Sequence, residues 1–240
     1  MVVLAYAPMT STRSQAWDAS YEKRENHLFW PNEEVVRFLA RYVRRRIAPD
    51  EWVDIMDLDS AGGAQPRLLD LGCGIGRHLV LAHNLGFEGH GIDFSPTAIA
   101  KAQDWLGELS PALAERAIVG DVRALPWDPE FFKVVISAGV LDSMPHDVAV
   151  AATREVHRVL SPGGYFYCDL IAFDERWREP SDFEVEDGYE AGTVQSYFDK
   201  ARIESLFEPL FSVVDRTLIT WRSDLDDPGS GRWYLVLRKS

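Results

Sequence analysis

Residues 67–78 read Arg67-Leu68-Leu69-Asp70-Leu71-Gly72-Cys73-Gly74-Ile75-Gly76-Arg77-His78. Leu68, Leu69 and Leu71 form a short apolar run, the pattern of a buried strand. Gly72, Gly74 and Gly76 follow at spacing two, and Leu79 to Leu85 supplies apolar helix positions. The stretch therefore predicts strand, glycine-rich turn, helix. Glycine lets the backbone turn tightly and lets a ligand come close to it. The helix N-terminus beyond the turn offers N–H groups and a partial positive charge, suited to a carboxylate or phosphate. Arg77 stands where a G-x-G-x-x-G dinucleotide pattern would carry its third glycine. Taken alone, the stretch also reads as an ordinary strand-to-helix turn. Two acids sharpen it. Asp70 lies at the strand end, and Asp93 closes the next apolar run, Gly89-His90-Gly91-Ile92-Asp93-Phe94. An acid there is placed to accept hydrogen bonds from a ribose diol.

Outward from this stretch the chain alternates. Strands are predicted at 67–71, 88–93, 115–119, 132–137 and 165–171. Helices are predicted at 76–86, from Ser95 or Thr97 to Leu109, and at 146–160. Pro96 suits a first helical turn. Alternation of this kind implies a parallel sheet with right-handed crossovers. Upstream, residues 1–31 form an aromatic extension with Tyr6, Trp17, Tyr21, Phe29 and Trp30. Asn32 caps a predicted helix running to Ile47, with Val35, Phe38, Leu39, Tyr42 and Val43 as its apolar stripe. Residues 48–66 read as a loop. After Ile171 the rhythm stops. It resumes with a helix at 197–208, a strand at 211–221 and a strand at 233–238, the two strands joined by a turn at 226–231.

The interruption, 172–200, mixes Phe173, Trp177, Phe183 and Tyr189 with many acids, among them Asp182 and Glu190. A disordered linker is normally poorer in aromatics, and a core element would not carry so many carboxylates. A lid with aromatics turned inward and acids outward meets both constraints; a mobile loop is the competing reading.

The chain has 240 residues, 46% hydrophobic, with 38 acidic against 25 basic side chains and a net charge of −13. That length suits one α/β domain with a full core. The acidic balance argues against a nucleic-acid partner. The basic cluster Arg37, Arg41, Arg44, Arg45 and Arg46 reads as a solvated helix face. No apolar run spans a membrane and no secretory leader is evident, so a cytoplasmic location is expected. The two cysteines, Cys73 and Cys168, read as buried small residues, and no metal spacing exists.

The stretch Asp70-Leu71-Gly72-Cys73-Gly74-Ile75-Gly76 resembles motif I of the class I S-adenosylmethionine-dependent methyltransferases. Three further segments resemble that family in order: Gly91-Ile92-Asp93-Phe94-Ser95, the ribose-binding strand end; Gly120-Asp121-Val122-Arg123-Ala124-Leu125-Pro126-Trp127, the adenine loop; and Glu155 to Gly164, the helix and turn before the fifth strand. The resemblance covers residues 66–171. It implies a Rossmann-like, doubly wound, seven-stranded, mostly parallel sheet whose last strand is antiparallel. Residues 1–48 would be an N-terminal extension and helix, 49–240 the methyltransferase domain, and 172–200 its substrate lid.

The resemblance also implies roles. Asp70, Gly72, Cys73, Gly74 and Gly76 would shape the methionine and ribose end of S-adenosylmethionine. Asp93 would accept the ribose hydroxyls, Phe94 would lie along the adenine, and Asp121 would accept the adenine amino group beside the Val122 N–H. Asp93 and Asp121 could instead be loop-capping acids. Ala138 to His146 would face the reacting methyl, with His146 and Asp142 as the ionisable candidates for catalysis. A helix-start role for His146 and a capping role for Asp142 are the alternatives. Tyr21 with Trp17 could close over the cofactor or simply pack the extension on the core. The expected activity is methyl transfer to a small-molecule acceptor, with no nucleic acid, no membrane, no metal and a possible homodimer. The competing readings are a nicotinamide-dependent oxidoreductase and a catalytically silent partner subunit.

Overall fold

The computed structural model describes residues 11–58, 64–173, 181–186, 188, 190–208, 210–221 and 230–240. Its elements in chain order are α1 (Ser11–Glu22), α2 (Glu33–Phe38), a π-helical turn (Leu39–Val43), β1 (Arg44–Ala48), β2 (Glu51–Asp54), β3 (Arg67–Leu71), α3 (Arg77–Asn84), β4 (Glu88–Asp93), α4 (Pro96–Gly107), α5 (Pro111–Glu115), β5 (Ala117–Val119), β6 (Phe132–Ser137), α6 (His146–Val159), β7 (Leu160–Ile171), β8 (Asp182–Glu184), β9 (Val194–Ser196), α7 (Lys200–Phe207), β10 (Ser212–Trp221) and β11 (Ser230–Arg238).

Seven strands form one sheet in the order β10-β11-β7-β6-β3-β4-β5. β3 pairs in parallel with both β4 and β6, and β6 with β7. β11 runs antiparallel between β7 and β10. The central strands are apolar on both faces, as a parallel sheet covered by helices requires. On one side Leu69, Leu71, Val135 and Phe166 pack against Val156, Ile203 and Phe207 of α6 and α7. On the other, Leu68, Val134 and Ile136 pack against Val35, Phe38 and Leu39 of the N-terminal segment. That segment is therefore part of the sheet's covering layer.

The first strand, the following strands and the helices they feed lie where their periodicity places them. Ser95 caps α4, its Oγ accepting from the Ala98 N–H at 3.1 Å, with Pro96 in the first turn.

Several expectations are corrected. The helix expected to Ile47 ends at Val43, where its apolar stripe also ends. Arg44–Ala48 pairs instead with Glu51–Asp54 as an antiparallel hairpin, whose second strand lies within the stretch read as a loop. Arg44 explains the change: its Nε and Nη2 donate to the Asp54 carboxylate at 2.5 and 2.9 Å, and its Nη1 donates to the Leu85 carbonyl at 3.2 Å. Arg44 is buried, so the five arginines do not form a single solvated helix face. An additional helix, α1, occupies the aromatic extension, and α5 precedes β5.

The segment after Ile171 holds a small antiparallel hairpin, β8 with β9. Phe183 packs on Tyr197, ring centroids 5.7 Å apart, and does not turn toward the cleft. Trp177, Tyr189 and residues 222–229 of the last turn lie outside the described residues.

Candidate active site

The turn between β3 and α3 sits at the carboxyl end of the sheet, where ligands bind in open α/β folds. Gly72 and Gly74 adopt φ of +67° and +53°. A Cβ on Gly72 would lie 2.5 Å from Val140, and one on Gly74 would lie 2.6 Å from the Tyr21 hydroxyl. Both positions thus need glycine for conformation and for space. The turn is fixed to β4: the Gly72 and Cys73 N–H groups donate to the Ile92 carbonyl at 2.8 and 3.1 Å.

Asp93 ends β4 beside this turn. Its Oδ2 accepts from the Gly74 N–H and its Oδ1 from the Ser95 N–H, both at 2.9 Å. Burial pushes its pKa up to about 6, against the pull of those two hydrogen bonds. Each oxygen keeps further acceptor capacity.

Asp70 is buried behind the turn. Its Oδ1 faces His78 Nδ1 at 3.5 Å, and its Oδ2 has no hydrogen-bond partner among the described residues. His78 Nε2 accepts from the Asn32 N–H at 3.2 Å, which assigns the ring hydrogen to Nδ1. Asn32 also caps α2 through the Glu34 N–H, so the N-terminal segment is tied to the glycine turn.

Two neighbouring cavities open here. One is lined by Asp93, Phe94, Asp121, Val122, Val148 and Val194. The other is lined by Cys73, Gly74, Arg77, His78, Ala138 and Asp142. Trp17, Tyr21, Gly72, Gly139 and Ser143 line both. The structure thus brings Tyr21, Gly72, Cys73, Gly74, Asp93, Phe94, Asp121, Val122 and Ala138 to these two adjoining cavities. Gly76 instead gives α3 its left-handed start, and Asp70 supports the turn from beneath.

α1 forms the outer wall. The Asp18 carboxylate accepts from Ser95 Oγ and from the Thr97 N–H, the latter at 3.3 Å, joining α1 to the start of α4. Burial, then Asp93, pushes the Tyr21 hydroxyl well above its ordinary pKa. Burial likewise raises the Cys73 thiol well above its usual value, which disfavours a thiolate.

Asp121 is engaged within its own loop, its Oδ1 accepting from the Arg123 N–H at 2.9 Å. Its carboxylate is gripped by Arg123, whose Nε lies 3.0 Å from both oxygens. Burial alone would raise its pKa; the hydrogen bonds from Arg123 outweigh burial and hold it below the ordinary carboxylate range.

The two ionisable candidates after β6 diverge. His146 starts α6, and its Nδ1 accepts from Arg202 Nε at 3.3 Å. It is not among the residues lining either cavity. Burial and then Arg202 hold its pKa below the ordinary histidine value, so it is neutral at neutral pH. Asp142 does line the cleft, but its Oδ2 accepts from the Ile171 N–H at 2.9 Å and from Arg232 Nη1 at 2.8 Å. The same Nη1 donates to Asp169 Oδ1 at 2.5 Å. Asp169 in turn accepts from the Gly139 N–H and the Tyr167 hydroxyl.

Sequence reasoning passed over Arg232 and Glu190, which both line the second cavity. Arg232 lies on the last strand, 90 residues from Asp142, and no local pattern marks it. Glu190 counted among acids turned to water; it is half-buried, and φ of +61° turns the chain at that residue.

Residues 68–164 match the family described as Methyltransferase domain. An uncharacterised protein of Haemophilus influenzae is 30% identical over 132 residues, 53% of this chain and 52% of that protein. The carboxy-S-adenosyl-L-methionine synthase of Chromohalobacter salexigens is 32% identical over 102 residues, 41% of this chain and 37% of that protein. The chain thus spans about half or less of the length of these curated relatives. In fold it is similar to the 1,6-didemethyltoxoflavin-N1-methyltransferase of Burkholderia thailandensis, solved with 1,6-didemethyltoxoflavin and S-adenosylhomocysteine bound. That likeness has a TM-score of 0.63 at 17% identity and covers 100% of this chain and 93% of the other. Over residues 68–164 the chain is thus similar to the methyltransferase-domain family, and its sheet order and fold are similar to those of a solved methyltransferase.

Proposed function

We propose that this chain transfers a methyl group from S-adenosylmethionine to a small-molecule acceptor. The observation that carries the reading is Asp93: a buried carboxylate at the end of β4, held against the Gly74 N–H, with acceptor capacity left for a ribose diol. The surroundings fit the same ligand. Gly72 and Gly74 leave a cradle that a Cβ would fill, and Phe94 and Val122 line an apolar slot beside Asp93 for the adenine. The cofactor supplies an activated methyl on a sulfonium, and the reaction is one in-line displacement. The protein's work is then mostly proximity and exclusion of water. Gly72 and Gly139 would hold the donor where the two cavities join. Trp17 and Tyr21 would shield it from the side of α1.

An acceptor that arrives protonated needs a base. Asp142 would act there by fixing Arg232 and the Ile171 backbone. His146, engaged through Nδ1, would serve to start α6 beneath the lid.

Calorimetry tests the reading. S-adenosylmethionine or S-adenosylhomocysteine should bind, and NAD should not. Tight NAD binding without a response to either adenosyl ligand would overturn it.

A further inference from the structure

The second cavity has a wall that methyl-donor binding does not use. Asn26, Asp142, Glu190, Gln195 and Arg232 form it. Asp142 is 1% exposed. Its Oδ1 has no partner among the described residues beyond its own backbone N–H. A buried carboxylate oxygen with unused capacity carries a desolvation cost that a ligand donor would relieve. Arg232 does not meet that need: its bonds to the cluster run from Nη1 to Asp142 Oδ2 and Asp169 Oδ1, and not to Asp142 Oδ1. Three carboxylates, Asp142, Asp169 and Glu190, thus surround one guanidinium, and Glu25 stands behind Glu190, accepting from its N–H at 3.4 Å. The other arginine on the cavity, Arg77, lies at the start of α3 and donates to the Trp30 carbonyl at 3.5 Å. Burial, with Glu25 adding to it, raises the Glu190 pKa, opposed by Asn26 and Arg232. A nearby cation would lower it again. The rings of Trp17 and Tyr21 line the same cavity, and an aromatic face attracts an ammonium group.

Building on the methyl-donor reading above, we propose that this wall is the acceptor subsite and that it recognises an acceptor through a protonated amino group. Asp142 Oδ1 and Glu190 receive its N–H bonds. The amino group is the recognised handle, and a different atom can be the one methylated. A carboxylate-bearing acceptor is disfavoured, since three carboxylates already stand around the one guanidinium it would seek.

The test uses the full chain and ligands that need no knowledge of the natural acceptor. Calorimetry at pH 7.5 compares S-adenosylhomocysteine with three analogues in which a tertiary nitrogen replaces the sulfur. That nitrogen carries a propyl, a 3-aminopropyl or a 2-carboxyethyl arm. The aminopropyl analogue should bind at least tenfold more tightly than the propyl one, and the carboxyethyl analogue more weakly than either. In Glu190→Gln the preference for the amino arm should fall at least fivefold, with S-adenosylhomocysteine affinity within twofold of the parent. Equal affinities for amino and propyl arms, or a preference for the carboxylate, would overturn the subsite and leave the cofactor reading standing. Failure of S-adenosylhomocysteine to bind would overturn both. A preference that survived in both Glu190→Gln and Asp142→Asn would remove these residues from it. Should either variant misfold, the comparison of arms on the parent protein still decides.

Discussion

Asp93 holds a charge where the fold would prefer none. Its pKa is raised from 3.8 to about 6. Well below pH 3.8 the carboxyl is neutral in both folded and unfolded chains. As pH rises from about 4 to about 6, the unfolded chain ionises this group while the fold keeps it protonated, and above that both are ionised. Stability is lost across that window, on the order of 3 kcal/mol at most. Asp93→Asn should therefore raise the unfolding midpoint at pH 7.5 and change it little at pH 4, measured by calorimetric melting. The same substitution should weaken S-adenosylhomocysteine binding by about 1.5–3 kcal/mol, the range for a hydrogen bond to a charged group. In the parent protein that affinity should decline as pH drops below about 6. A second residue-scale outcome concerns Gly74. Gly74→Ala meets a positive φ and the Tyr21 hydroxyl at 2.6 Å. Affinity should fall, and adding Tyr21→Phe should recover the part due to the clash and leave the part due to backbone strain, which a double-mutant cycle separates.

Among elements, the β8–β9 hairpin depends on one acid. Asp182 accepts from the His146 N–H at 3.0 Å, from Ser196 Oγ at 2.7 Å and from Arg202 Nη2. It therefore caps α6 and pins β8 over it. Asp182→Ala should cost about 0.5–1.5 kcal/mol, the net worth of hydrogen bonds at a partly exposed site. Proteolysis between residues 173 and 195 should quicken, while S-adenosylhomocysteine affinity stays within about threefold, because Asp93 and the glycine turn lie elsewhere. Equal proteolysis of variant and parent would remove Asp182 from this role. The elements also show what a sequence makes readable. β3, β4, β6 and α4 rest on rules that act within a few residues: apolar runs, a serine cap, a proline in the first turn. The start of α2 rests on such a rule too. Its end does not, because what turns Arg44 out of the helix is Asp54 on the next strand and the Leu85 carbonyl 41 residues away.

Across the whole molecule, Arg232 joins the last strand to the cleft. Asp142 follows β6, Asp169 lies on β7 and Arg232 on β11, so three neighbouring strands meet in one charged cluster. Removing one partner of a buried pair costs about 3–5 kcal/mol, because the remaining charges lose their compensation. Arg232→Met should fall in that range at pH 7.5. The deficit should shrink as pH drops, since Asp142, whose pKa burial already raises to about 6, can then take up a proton; chemical denaturation at pH 7.5 and pH 5 checks this. A deficit that grew toward acid would contradict the arrangement. The same cluster explains the uneven legibility of the site. Gly72, Gly74 and Asp93 carry their meaning in adjacent residues. Arg232 and Glu190 acquire theirs only from folding, which brings a distant strand and an irregular segment against the cleft. Asp142 was visible as an ionisable residue, but its partners were not.

The outer wall of the cleft sets a clock. Trp17 and Tyr21 stand on α1, which Asp18 fastens to the cap of α4. We predict that a ligand behind that wall exchanges when the fastening opens, so that entry is paced by the protein's own opening rate and not by encounter. In stopped-flow tryptophan fluorescence, the observed rate for S-adenosylhomocysteine should climb with concentration and then reach a plateau. Asp18→Ala should lift the plateau and shorten the residence time together. A rate that stayed linear to the highest concentration would mean that α1 stands open to traffic.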